Sequence, residues 1–206
     1  MTTDTVTLFL ALLSVVAQVT VAASLLLYVA GRFSPAAARW KRALFDALGP
    51  QALVLAFLVA AISMGGSLYF SESAHFSPCK LCWYQRIAMY PLVPLLGLAA
   101  WRRDEGIRPY AVTLAAVGGV VSAYHVLVER FPSLESGACE VANPCTIIWV
   151  RRFGYLTIPT MALSAFALIV TLMLTRAGQP PRPDNLEGVS DVDHQVASTL
   201  TARPGR

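Results

Sequence analysis

Apolar residues run along this chain in five long blocks, at about residues 6–30, 52–70, 83–101, 110–128 and 155–174, with short polar stretches between them. Each block is close to the ~20 residues that a helix needs to cross ~30 Å of hydrocarbon. Their interiors carry almost no formal charge. The pattern predicts an all-α polytopic membrane protein.

Composition agrees. Hydrophobic residues make up 56% of the 206 and charged residues only 14%, against about 25% charged in an average soluble domain. The first block has only Asp4 before it and is longer than the apolar region of a secretory signal, so it is expected to be a retained helix. The net charge of +4 does not point to nucleic acid, because the cations are sorted by loop. Arg32, Arg39, Lys41, Arg42, Arg102, Arg103, Arg108, Arg176, Arg182, Arg203 and Arg206 fall on one side of the predicted spans, eleven of the sixteen cations. Positive-inside bias then puts the C-terminus in the cytoplasm, with the N-terminus and the two loops near 71–82 and 129–154 outside. Trp83, Trp101 and Trp149 stand near predicted span ends, as interfacial anchors do. Trp40 lies in the stretch "FSPAAARWKR" (33–42), expected to be a basic loop on the inner leaflet. Gly65-Gly66 and Gly118-Gly119 read as sites of close helix packing. The Pro-rich polar tail after residue 177 is expected to be disordered.

All four cysteines fall in the two outer loops: Cys79 and Cys82 in the first, Cys139 and Cys145 in the second. An even number on the oxidising face implies disulfide chemistry, with three pairings open. Structural disulfides are one reading. A four-cysteine zinc site is another, weakened by the wide spacing in "CEVANPC" (139–145). Redox catalysis is favoured by what surrounds the first pair. Pro78 suits a helix start, which places Cys79 near unpaired N–H groups and the positive end of the helix dipole, with Lys80 adjacent; all favour the thiolate. Cys79, Cys82 and Arg86 then fall at i, i+3 and i+7 on one face, and Met89 and Val93 continue that stripe inward. An arginine at this depth either snorkels or faces a pocket. In a pocket it would donate to a carbonyl oxygen, and a lipid-soluble two-electron acceptor with carbonyl oxygens is a quinone.

The stretch "CKLCWYQRIAMYPL" (79–92) resembles the quinone-linked motif of the DsbB/BdbC family of disulfide bond formation proteins. "NPCTIIWVRRFGYLTIPTMAL" (143–163) is similar to the end of that family's second outer loop and its last span. The likeness covers about residues 50–175, and the short Cys139–Cys145 spacing is closer to the BdbC branch. It implies a four-helix transmembrane bundle, here with one extra N-terminal transmembrane helix that has no counterpart in the usual layout. The division expected is 1–50 for that helix and a basic cytoplasmic loop, 51–176 for the bundle, and 177–206 for the tail.

Function follows from the same resemblance. The chain would be a thiol:quinone oxidoreductase in a bacterial cytoplasmic membrane, reoxidising a DsbA- or BdbD-like thioredoxin-fold oxidase and passing electrons to ubiquinone or menaquinone. Cys139 and Cys145 would exchange disulfides with the partner, Cys139 taking the attack and Cys145 resolving. Cys79 and Cys82 would hand electrons on, with Cys82 nearest the quinone ring. Arg86 matches the family's quinone-contacting arginine, and Met89 lies on the same stripe. His125, at the outer end of the fourth span, is either an interfacial histidine or a quinone or proton partner. Two alternatives remain: a vitamin K epoxide reductase-like enzyme, disfavoured because its loop pair normally precedes its Cys-x-x-Cys, and a membrane scaffold stapled by inert disulfides.

Overall fold

Small side chains decide where the helices meet. The computed structural model describes residues 2–135, 137, 139 and 143–175. The chain runs through α1 (Thr3–Ala30), α2 (Pro35–Leu48), α3 (Ala52–Leu68), α4 (Lys80–Met89), α5 (Leu92–Arg102), α6 (Arg108–Arg130) and α7 (Ile158–Thr175). Along α6 the buried residues are Ala111, Ala115, Gly118, Ser122, His125 and Val128, a stripe at three- and four-residue spacing. α3 likewise buries Ala52, Ala56 and Ala60. Lipid tails are as apolar as leucine, so helices associate in a membrane through close packing, which small residues permit. The closest fit is at Gly118, where a Cβ would lie 2.3 Å from the ring of Phe166 in α7. At Gly66 a Cβ would meet Leu10 of α1 at 2.8 Å, whereas Gly65 faces open space. Leu92, Leu96, Phe166, Ile169 and Met173 fill the core between α3, α5, α6 and α7.

Among the described residues, four helical runs are long and apolar enough to cross a membrane: Thr3–Ala30, Pro35–Ser73, Glu105–Arg130 and Ile158–Thr175. The chain is a helical, multi-pass membrane protein. The third predicted span is two helices in series, α4 and α5. Pro91 has no N–H to donate to the preceding turn, which interrupts the hydrogen-bond ladder. Tyr90 and Pro91 nevertheless keep right-handed helical dihedrals, so the path continues. The expected basic loop is also different. Most of it is α2, with Pro35 in its first turn, joined to α3 through a 3-10 turn at Gly49–Gln51. None of α2 is buried, and Phe33 and Trp40 stand exposed.

α1 packs along α7 and α2. Its buried residues, Thr7, Ala11, Ser14, Ala17 and Ser24, are all small. Arg152, just before α7, pairs with Asp4 and donates to Thr7 Oγ1 at 2.9 Å. Deeper in, Gln18 donates to Ser164 Oγ (2.9 Å) and accepts from the Tyr155 hydroxyl (2.7 Å). The first turn of α1 and the start of α7 therefore share the end of the molecule that carries the cysteines. At the opposite end Arg108 donates to the Met173 carbonyl at 3.0 Å. The expected tail, 177–206, lies outside the described residues.

Candidate active site

Cys79 is the N-cap of α4. Its Sγ accepts the backbone N–H of Cys82 at 3.4 Å and lies 3.1 Å from the Cys82 Sγ, both sulfurs being free thiols. The Cys79 thiol is brought down to about 4 by the Cys82 thiol hydrogen bond, with His125 and the Cys82 N–H adding to it against the opposing effect of burial. Of the three pairings open in the sequence, the disulfide is Cys139–Cys145. Cys145 is only 1% exposed and sits in one apolar cluster with Cys79, Leu81 and Val128, while Cys139 is half-buried at its edge.

His125 joins the two loops. One of its ring nitrogens, Nε2, lies 3.1 Å from the Cys145 carbonyl oxygen and 3.7 Å from the Cys79 Sγ. A carbonyl oxygen only accepts, so Nε2 carries the hydrogen and Nδ1 is left to accept from Gln85 Nε2 at 3.0 Å. Both residues are buried. Asn143 adds a second tie, donating to the Pro78 carbonyl at 3.0 Å. A third is aromatic: Trp149 of the second loop stacks on Phe76 of the first, and Phe76 on Phe70, with centroids 5.0 and 5.8 Å apart. The second loop is thus docked on the first by a histidine, an asparagine and a ring stack.

Two cavities meet at Cys82. One, of about 20 Å³, is bounded by Cys79, Cys82, His125, Glu129 and Pro144, and is large enough for about one water molecule. The other, of about 400 Å³, runs between α1 and α3 over α7 and is almost wholly apolar. Its polar contributions near the cysteine end come from Ser67, Ser77, Gln85, Arg86 and Tyr90, and Cys82 and Met89 complete that wall. Arg86 donates from Nη2 to the Ser67 carbonyl at 3.0 Å and lies over the Trp83 ring at 5.2 Å. Leu13, Val16 and Ile62 on the cavity rim are themselves exposed, so the cavity opens sideways toward lipid. Cys82, Arg86 and Met89 therefore share the large cavity. His125 lies on the other side of the dithiol, against Cys79 and Cys145. With both thiols reduced, Cys79, Cys82 and His125 also present three ligand atoms within 4.8 Å of one another, a set that could hold a soft metal ion.

A family model described as "Disulfide bond formation protein DsbB" matches residues 50–176. The chain belongs to the DsbB family. It is 42% identical over 128 residues to "Disulfide bond formation protein C" of Bacillus subtilis (strain 168), which covers 62% of this chain and 93% of that protein. It is 41% identical over 124 residues to a "Probable disulfide formation protein" of Oceanobacillus iheyensis, covering 59% and 86%. A "Probable disulfide formation protein C 2" of Bacillus anthracis is 38% identical over 121 residues, covering 59% and 86%. No solved structure matches. The chain is a DsbB-like, disulfide-forming membrane oxidoreductase, and α1 lies outside the stretch that the DsbB model matches.

Several residues that build the site went unread in the sequence. Gln85 is an uncharged polar side chain three residues after Cys82, on the same helical face, and Glu129 is four residues after His125, also on one face. Both spacings were available as signals. Asn143 and Phe76 have none, since their partners are fixed only by tertiary contact. One consequence is measurable. In the reduced protein the Cys79 alkylation rate should stay nearly flat from pH 8 to about pH 5 and fall only as pH drops through about 4. An ordinary thiol, with a pKa near ~8.5, would lose tenfold per unit across that range. His125→Ala removes one of the lowering contributions, so the fall-off should move to higher pH. Mass spectrometry of the Cys79 peptide reads this directly, and the same profile in both proteins would show that His125 does not act on the thiolate.

Proposed function

We propose that this DsbB-family chain is a thiol:quinone oxidoreductase that reoxidises a secreted thioredoxin-fold dithiol oxidase. The observation that carries the reading is the position of Cys82. It borders the large apolar cavity beside Arg86 and Met89, while its neighbour Cys79 shares a buried cluster with Cys145. An inert staple has no use for a dithiol bordering an apolar cavity of about 400 Å³, a volume within the range of small-molecule sites. The fit to a quinone rests on that apolar shape, on the rim exposed toward lipid, and on the Arg86 guanidinium as a donor at the cysteine end. Cys82, Arg86 and Met89 would hold the head group there.

The chain's own steps are thiol–disulfide exchanges. A partner thiolate attacks Cys139, forms an intermolecular disulfide and releases Cys145 as a thiolate. The partner's second thiol then closes the partner's disulfide and frees Cys139. Cys145 attacks Cys79 of a Cys79–Cys82 disulfide and releases Cys82. Cys139 next attacks Cys145, which restores Cys139–Cys145 and releases Cys79. Exchange is faster when the leaving thiol is acidic, and a Cys79 thiol near 4 suits that last departure. The dithiol then closes again, giving up two electrons and two protons. A quinone held by Cys82, Arg86 and Met89 would supply the two-electron, two-proton acceptor that this closure needs.

In the same reading the 51–176 region is the catalytic bundle, the membrane is the bacterial cytoplasmic membrane, and the cysteine end faces outward. The sorting of cations supports that orientation. The test is turnover: purified protein in lipid, a reduced thioredoxin-fold oxidase, and either ubiquinone or menaquinone. One quinol should form for each partner disulfide. No turnover with either quinone would overturn the quinone reading.

A further inference from the structure

We propose that α1 is the wall that receives the quinone's apolar tail, and that it sets which tails the protein accepts; this rests on the quinone reading above. The large cavity is elongated. On α3 its lining extends from Ser67, beside Arg86, to Leu55, a run of about 18 Å at 1.5 Å per residue. Its charged and amide side chains, Arg86 and Gln85, stand about one helical turn from Cys82, while the far part is lined by residues such as Leu55, Val59 and Leu168. A head group at Cys82 would occupy one end of such a space. The remainder has the form of a slot for a flexible hydrocarbon chain.

One side of that slot is α1. Leu10, Leu13, Ser14, Val16 and Ala17 line it. α1 and α3 both pack on α7, and the cleft between them is the cavity. Without α1, the same surface of α3 and α7 would be an open groove facing lipid. α1 is also fixed in place: Arg152 holds Asp4 and Thr7 at its start, and Gln18 is bonded through both its oxygen and its nitrogen. A polar amide inside an apolar helix, satisfied by two partners on the neighbouring segment, ties α1 to α7 at the depth of the slot. Large residues on the rest of α1, such as Leu12 and Val19, are exposed. The buried residues of α1 are the small ones, and the larger Leu10, Leu13 and Val16 border the slot beside Ser14 and Ala17.

The experiment is equilibrium binding rather than turnover, on the full-length oxidised protein in detergent. The probes are a quinone with a ten-carbon tail and the same head group with none. Leu13→Trp/Val16→Trp narrows the slot at two exposed rim positions, which spares the core. It should reduce the binding advantage that the tail confers by about tenfold. Leu12→Trp, an equally lipid-facing change off the slot, should leave that advantage within about twofold. A photoreactive group at the far end of the tail should cross-link to α1 and the first half of α3. An unchanged tail advantage in the double variant, an equal loss in Leu12→Trp, or cross-links that avoid α1 would overturn the role of α1. If the unaltered protein binds and reduces no quinone, both readings fall; if it does both and only the variants disappoint, the functional reading stands.

Discussion

Replacing Cys145 by serine should trap the partner oxidase on the membrane protein. In the proposed relay the partner's thiolate attacks the half-buried Cys139, not Cys145, which is 1% exposed. In Cys145→Ser the remaining Cys139 thiol can still form an intermolecular disulfide on oxidation. With a partner whose second thiol is replaced by serine, so that it cannot close its own disulfide and free Cys139, the mixed species should accumulate as a major band on non-reducing gels. Turnover with the unaltered partner is lost because the thiol that would carry the electrons inward is gone. Cys139→Ser should give a different product, because Cys145 lies in one cluster with Cys79. An internal Cys79–Cys145 bond should then dominate, identified by peptide mapping. If Cys139→Ser captures the partner as well as Cys145→Ser does, the two thiols are interchangeable and the ordered relay is wrong.

The next largest effect is expected at Arg86. Its guanidinium lines the large cavity beside Cys82, and one of its N–H groups is given to the Ser67 carbonyl. A hydrogen bond to a charged group in such a site contributes about 1.5–3 kcal/mol, or roughly ten- to a hundred-fold in an equilibrium constant. Arg86→Ala should therefore weaken apparent quinone affinity by that factor and leave exchange between the partner and Cys139–Cys145 close to normal. Arg86→Lys should recover only part of the loss, since an ammonium cannot reproduce the planar fork of donors. Unchanged quinone affinity in Arg86→Ala would mean that the side chain is an interfacial anchor resting on Trp83.

Much of this was readable before any coordinates. The stripe through Ala111, Ala115, Gly118 and Ser122 continues to His125 at helical spacing, so the histidine's burial follows from the same periodicity that packs α6 on α7. Pro78 before Cys79 announced the start of α4, and the cap geometry follows. Cys82, Arg86 and Met89 do share a face, but the stripe does not run on to Val93 within one helix, because Pro91 interrupts it.

Other features had no local signature. α1 is apolar on every side, so hydropathy alone did not say which face would pack; only the line of Thr7, Ala11, Ser14 and Ala17 hinted at it. α2 was obscured by its charges, although "PAAARW" is a good helix opening. The Gln85–His125 bond, the Asn143–Pro78 bond and the Trp149–Phe76–Phe70 stack join residues far apart in the chain. Such contacts exist only once the helices have chosen their neighbours. The disulfide pairing belongs with them, since four cysteines allow three arrangements.

The most direct test of the central claim isolates the dithiol. In a Cys139→Ser/Cys145→Ser protein only Cys79 and Cys82 remain, and after reduction one equivalent of quinone is added in lipid without partner or oxygen. The prediction is that two thiols disappear for each quinol formed, with a Cys79–Cys82 disulfide recovered on mapping. Thiols that persist beside unreduced quinone, or quinol that appears without loss of thiols, would contradict it.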